Sequence, residues 1–144
     1  MRKRSTNKFQ EVPFEKLKNT RAWKNTSILV RLLSNEVCYT CGNKFPFDKL
    51  NAGHFREKRG GAVLYFDLRN LRAQCYRCNK ILHGAKDIYA KKLVDELGNK
   101  ILNDLFKEGQ KTKVWTKVEL EKIADEIEEL PIWKTWERKQ SKEQ

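Results

Sequence analysis

Ile28, Leu29, Leu32 and Leu33 recur at helical spacing near the end of PFEKLKNTRAWKNTSILVRLLSNE. A helical stretch is therefore predicted from Pro13 onward. Proline is tolerated in a first helical turn, and Glu15 suits the positive end of the dipole. Thr26 or Ser27 could restart the helix as an N-cap, which leaves one helix or two open. A second apolar stripe runs through Ile88, Leu93, Val94, Leu97, Ile101, Leu102, Leu105 and Phe106, interrupted at Gly98-Asn99. Thr116 and Glu119 form a capping-box pattern ahead of LEKIADEIEEL, Pro131 breaks or kinks that helix, and WKTWERKQ follows. Between these helical regions the period changes. AGHF and VLYFDL are short β-prone runs separated by REKRGGA, and they predict a hairpin with a long glycine-containing loop. RNLRAQCYRCNKILHGAKDIYAKKLVDELG then leads into a helix predicted to start at or near the second C-x-x-C pair.

Length changes this picture little. The chain has 144 residues, enough for one domain with a helical extension. The pattern divides it into a flexible basic arm at 1–12, an N-terminal helical segment at 13–36, a central core at 37–92 and a C-terminal helical segment at 93–144. Charge changes more. The net charge is +12, and it is unevenly spread. Residues 1–35 carry 9 basic and 2 acidic side chains, residues 36–92 carry 12 and 5, and residues 93–144 carry 10 and 12. The positive excess therefore lies around and before the cysteines, and a field of that sign attracts polyanions and displaces counterions from nucleic acid. There is no apolar run of the ~18 residues a membrane span needs, so no membrane partner is expected. The start, MRKRSTNKFQEVPF, has no apolar segment after its basic residues and does not read as a secretory signal. MRKR itself fits either a nuclear address or a phosphate-binding arm.

The cysteines supply the first specific chemistry. Cys38, Cys41, Cys75 and Cys78 form two C-x-x-C pairs with none left over. Without a secretion signal, such pairs point to a metal before disulfides. Zn²⁺ takes four thiolate or imidazole ligands in a tetrahedron, and four thiolates close its shell, so a structural zinc is expected. Between Cys41 and Cys75 lie 33 residues, against roughly 15–20 in a plain zinc ribbon. The extra length contains NAGHFREKRGG and one of only two histidines, His54; the other is His83.

Reading on from His54, Asn70 stands in DLRNL and Asn79 directly follows Cys78. With CYTC, AGHF, RNL and CYRCN in this order, the chain resembles the HNH nucleases, also called His-Me finger or ββα-metal nucleases. AGHF, the glycine-containing loop, the aromatic run, RN and QCxxCN together look like the NinG (Rap) recombination proteins of lambda-like phages, over roughly residues 36–90. VWTKVELEKI is similar to that family's C-terminal segment. The resemblance implies an α+β fold: a small zinc-stapled ββα-metal core at 37–92, flanked by N- and C-terminal helices. It implies His54 as general base, Asn70 as the residue holding the loop and orienting His54, and Asn79 as an oxygen ligand to a catalytic divalent cation, Mg²⁺ or Mn²⁺. The chemistry is coherent. Imidazole near its ordinary pKa takes a proton from water, and a hard cation prefers oxygen ligands. Many HNH enzymes carry Asp or His just before the base as a second metal ligand. Here that residue is Gly53, so the second ligand must come from elsewhere, with Asp48, Glu57, Asp67 or His83 as candidates. Asn79 also reads as an N-cap, and His83 before Gly84 as a surface or capping residue.

Arg56, Lys58 and Arg59 from one side of the insert, and Arg69, Arg72, Arg77 and Lys80 from the other, are candidates for a DNA-backbone cleft. Phosphate contacts of that kind position a duplex without reading its sequence. The family resemblance implies a metal-dependent endonuclease acting on branched DNA such as Holliday junctions and D-loops. It also implies a phage- or prophage-encoded protein in a bacterial cytoplasm. Two strands to cut would suit a homodimer. Two alternatives stand beside it: a non-catalytic zinc module that binds nucleic acid or a recombination partner, and a less selective HNH nuclease.

Overall fold

The computed structural model describes residues 7–57 and 62–143. The MRKR segment, Lys58, Arg59 and Gly60-Gly61 therefore lie outside the described residues. The fold is α+β, mostly helical, with two small antiparallel sheets. It divides into two compact units, residues 1–26 with 114–144 and residues 27–113.

In the first unit, Pro13 opens a 3-10 turn, Phe14–Asn19, and not the α-helix itself. The α-helix α1 (Arg21–Leu33) begins after Thr20, whose hydroxyl accepts from the Trp23 N–H at 3.1 Å. Thr20 is thus the N-cap. Thr26 does not restart the helix. Its hydroxyl is spent on the Ala22 carbonyl one turn back, at 2.7 Å, and α1 runs through it unbroken. The short strand β1 (Glu11–Val12) pairs with β4 (Trp115–Thr116). Thr116 then caps α4 (Lys117–Glu128) with the reciprocal Glu119 contact that the sequence predicts. Pro131 occupies the first turn of α5 (Pro131–Lys142), so it starts a new helix. Leu17, Ala22, Leu120, Ala124, Ile127 and Trp133 are the buried apolar side chains of this unit.

The second unit carries the main correction. The strand β2 (Leu50–His54) does pair antiparallel, but with β3 (Leu71–Cys75) and not with VLYFDL. Leu50 lies opposite Cys75, and His54 lies opposite Leu71. VLYFDL lies across two 3-10 turns, Ala62–Leu64 and Leu68–Asn70, and buries Leu64 and Tyr65. A short apolar run looks the same whether it is a buried strand or a buried turn. The stretch after Cys75 also differs from the prediction. A single π-helical turn, Arg77–Ile81, is followed by His83, Gly84 and Ala85, all at positive φ. Only then does α2 (Lys86–Leu97) begin. It ends at Gly98, with φ of 99°, and α3 (Ile101–Gly109) follows. Leu64, Tyr89, Leu93, Ile101 and Leu105 form the core between the turns and the two helices, with Tyr39, Phe55, Val63, Val94 and Leu102 packed against it.

Candidate functional site

The first cysteine pair sits on a tight knuckle. Gly42, with φ of 76°, donates its N–H to the Cys38 carbonyl at 2.9 Å, and Cys38 donates to Asn43 O at 2.9 Å. A glycine suits the left-handed turn that closes the loop. The Tyr39 N–H reaches Ala73 O of β3 at 2.9 Å, which ties the knuckle to the strand carrying the second pair. The ligand atoms of Cys38, Cys41, Cys75 and Cys78 all lie within 4.8 Å of one another. Four sulfurs about 2.3 Å from one Zn²⁺ stand roughly 3.8 Å apart, so this donor set fits a single zinc ion. Burial raises the Cys38 thiol, but the Cys41 and Cys75 N–H groups and the Thr40 hydroxyl outweigh it and bring it down to about 6. Burial pushes Cys78 up to about 12, and Cys75 and the charge on Cys38 add to the rise. Crowded thiols ionise together only when a cation joins them. The four cysteines can therefore hold zinc as a staple between the two ends of the insert.

His54 ends β2 opposite Leu71, at the end of the ladder away from Cys75. Its Nε2 lies 3.0 Å from the Tyr65 carbonyl, and its ring packs on Tyr65 with centroids 4.8 Å apart. A carbonyl only accepts, so in the neutral ring Nε2 carries the proton and the lone pair is on Nδ1. The backbone around His54 is held on three consecutive carbonyls. The Tyr89 hydroxyl donates to Gly53 O at 2.7 Å, and the Lys86 ammonium donates to both His54 O and Phe55 O at 2.6 Å. Both donors come from α2. Burial pushes the Tyr89 hydroxyl well above its ordinary pKa, so it stays a donor. Burial lowers Lys86.

Asn70 is fully buried on the other side of the same loop. Its Oδ1 accepts from the Arg56 N–H at 2.8 Å, and its Nδ2 donates to Arg56 O at 3.1 Å. Its own carbonyl accepts from the Phe55 N–H at 2.8 Å. One side chain thus closes the chain that leaves His54 into a fixed turn.

Asn79 lies inside the π-helical turn rather than at a helix N-terminus, so it caps no helix. Its Oδ1 points toward Gly53: a Cβ built on Gly53 would stand 3.2 Å from it. The same Cβ would stand 2.2 Å from Oε1 of Gln74, which a real side chain could not occupy. Gly53 is therefore a close-approach glycine. Of the candidates for a second ligand, His83 is exposed in the turn after Asn79, in left-handed backbone rather than on a shared helix face. Asp67 caps the Leu68–Asn70 turn and holds Arg69, with Oδ2 2.7 Å from Nη2. Glu57 stands 3.9 Å from Lys86 Nζ, and Asp48 lies in the Phe47–Lys49 turn.

The basic residues separate into two groups. Arg72 is committed within the chain, to Glu96 at 3.0 Å, to backbone carbonyls and to the Tyr39 ring. Arg69 is held by Asp67, and Arg56 lies over the Phe106 ring at 4.9 Å. Arg77 and Lys80, by contrast, stand exposed on the π-helical turn that carries Asn79.

A family model described as bacteriophage lambda NinG protein matches residues 2–132. The chain belongs to the NinG family. No curated protein and no solved structure matches it. Within this NinG chain, sequence reasoning missed Gln74, Lys86 and Tyr89. Gln74 had one signal, a polar residue between Ala73 and Cys75, on the strand that leads into the second cysteine pair. Lys86 and Tyr89 had none, because they act on backbone carbonyls that no pattern displays.

Proposed function

We propose that this NinG-family chain is a metal-dependent DNA endonuclease of HNH type that hydrolyses phosphodiester bonds in branched recombination intermediates. The observation that carries the reading is the setting of His54. Its Nε2 proton is directed at a backbone carbonyl, and Lys86, Tyr89 and Asn70 pin the chain on both sides of it. Such pinning suits a group that must hold one tautomer and one orientation.

In this reading His54 Nδ1 takes a proton from water as the water oxygen attacks phosphorus. The P–O bond to the leaving sugar oxygen breaks, and that oxygen takes a proton from solvent. When bound at Asn79 Oδ1, Mg²⁺ or Mn²⁺ would neutralise charge on the scissile phosphate and leaving oxygen. Zinc held by Cys38, Cys41, Cys75 and Cys78 would be structural, tying the first knuckle to the end of β3 and the π-helical turn. Arg77 and Lys80 offer exposed charge next to Asn79, and Arg56, with its sequence neighbours Lys58 and Arg59, extends the backbone contact. Nothing in these elements reads base edges, which favours recognition of DNA shape: Holliday junctions and D-loops. A homodimer would bring two such sites to two strands, in a bacterial cytoplasm where phage recombination occurs.

Gly53 favours a second reading, a zinc-stabilised module that binds nucleic acid without cutting it. It offers no side-chain ligand where related nucleases have one. Cleavage of a labelled four-way junction beside a matched linear duplex, in Mg²⁺, Mn²⁺ and EDTA, separates the readings. Metal-dependent cutting of the junction over the duplex supports the proposal. Equal cutting of both would mean a less selective nuclease, and tight binding without cutting in any metal would mean a binding module.

A further inference from the structure

Gln74 is fully buried, yet its Oε1 is, among the described residues, the buried side-chain oxygen or nitrogen with no hydrogen-bond partner. The amide cannot be turned over to cure this. Its Nε2 donates to Gly84 O at 2.8 Å and to Thr40 Oγ1 at 3.1 Å. A carbonyl only accepts, so the nitrogen must face Gly84 and the oxygen must face the other way. The other way is toward Gly53. There Gln74 Oε1 and Asn79 Oδ1 both lie within 3.2 Å of one point, the position a Cβ on residue 53 would take. Two uncharged carboxamide oxygens converge on the place where a ligating side chain is absent. Leaving a buried acceptor unserved is costly, and a Cα–H contact from Gly53 offsets little of that.

We propose that Gln74 Oε1 is the second protein ligand to the catalytic divalent cation, acting with Asn79 Oδ1 in place of the side chain that Gly53 lacks. The inference rests on the endonuclease reading for the cation's purpose, but not for its binding. Two neutral oxygens on one hard cation, with the remaining positions left to water and phosphate oxygens, suit Mg²⁺ or Mn²⁺. The glycine and the glutamine then form one device. Any side chain at 53 would strike Oε1, so the ligand can come from one strand or the other, not from both.

The test is binding of Mn²⁺ to the zinc-loaded full chain, read by electron paramagnetic resonance without DNA. It compares wild type, Gln74→Ala, and Gly53→Asp combined with Gln74→Ala. Wild type should bind one Mn²⁺ saturably. Gln74→Ala should weaken binding by about tenfold or more while keeping its zinc, and the double variant should recover most of it. A folded, zinc-loaded Gln74→Ala with wild-type Mn²⁺ affinity would overturn the assignment. Should Gln74→Ala fail to fold, wild type decides alone. In a Mg²⁺ titration followed by side-chain carboxamide ¹³C signals, those of Gln74 and Asn79 should move together. A shift of Asn79 with Gln74 unmoved would overturn it. Absence of any saturable cation site would overturn it together with the catalytic reading. Cation binding through Gln74 in a protein that cuts no DNA would support the ligand assignment and remove the catalytic reading alone.

Discussion

Both compact units of this chain bury polar side chains, but they use them differently. In residues 1–26 and 114–144, the buried Asn25 and Thr26 serve the helices they sit beside. Asn25 donates to Ala124 O at 3.1 Å and Thr26 to Ala22 O at 2.7 Å. In residues 27–113, the buried Asn70 and Gln74 converge on the few residues around His54. The charged groups divide the same way. Arg21 meets Glu121, Asp125 and Glu128 along one face of α4, at the surface. Lys86 is half-buried and spends its charge on two carbonyls of the histidine strand. Asn25 and Thr26 maintain helices, whereas Asn70, Lys86 and Tyr89 fix the backbone on either side of one imidazole.

The largest effect that would sharpen the comparison is removal of a zinc ligand. Cys75→Ala should abolish zinc binding and the cooperative melting of residues 27–113, because zinc binding energy is folding energy in a unit this small. The helical signal of the other unit should persist, and circular dichroism melts with zinc analysis check both. Asn70→Ala comes next. It strands the Arg56 N–H and the carbonyls of Arg56 and Leu64, and should cost about 3 kcal/mol by chemical denaturation. Lys86→Met should cost less stability but lower the single-turnover cutting rate by about tenfold, with zinc content unchanged. Tyr89→Phe removes one hydrogen bond to Gly53 O and should cost about 1 kcal/mol. The smallest effect belongs to the helical unit. Arg21→Ala should change stability by less than about 1 kcal/mol, because its ion pairs are exposed. An Arg21→Ala loss as large as that of Asn70→Ala would break the contrast.

The helices α4 and α5 were legible in the sequence for a simple reason. Their signals are local: the Thr116–Glu119 box, Pro131 and the Leu120, Ala124, Ile127 spacing each act within a few residues. The cysteine cluster was equally legible, since two C-x-x-C turns carry all four thiols in sequence. Strand pairing was not. LRAQC lacks the aromatic and β-branched character of VLYFDL, so propensity chose the wrong partner for AGHF. Burial of Leu64 and Tyr65 in turns decided otherwise. Of the candidate site, His54, Asn70 and Asn79 are named by residue type and spacing, whereas Gln74, Lys86 and Tyr89 make their contacts only after folding.

The central claim is that His54 activates water, and one measurement tests it most directly. Single-turnover cleavage of a four-way junction by His54→Ala would be compared with wild type, with zinc content and junction affinity measured on the same preparations. Cutting reduced by roughly 100-fold or more, with zinc and affinity unchanged, is the predicted result. Cutting at the wild-type rate would contradict it, and His54 would then be a loop residue whose bond to Tyr65 serves the fold alone.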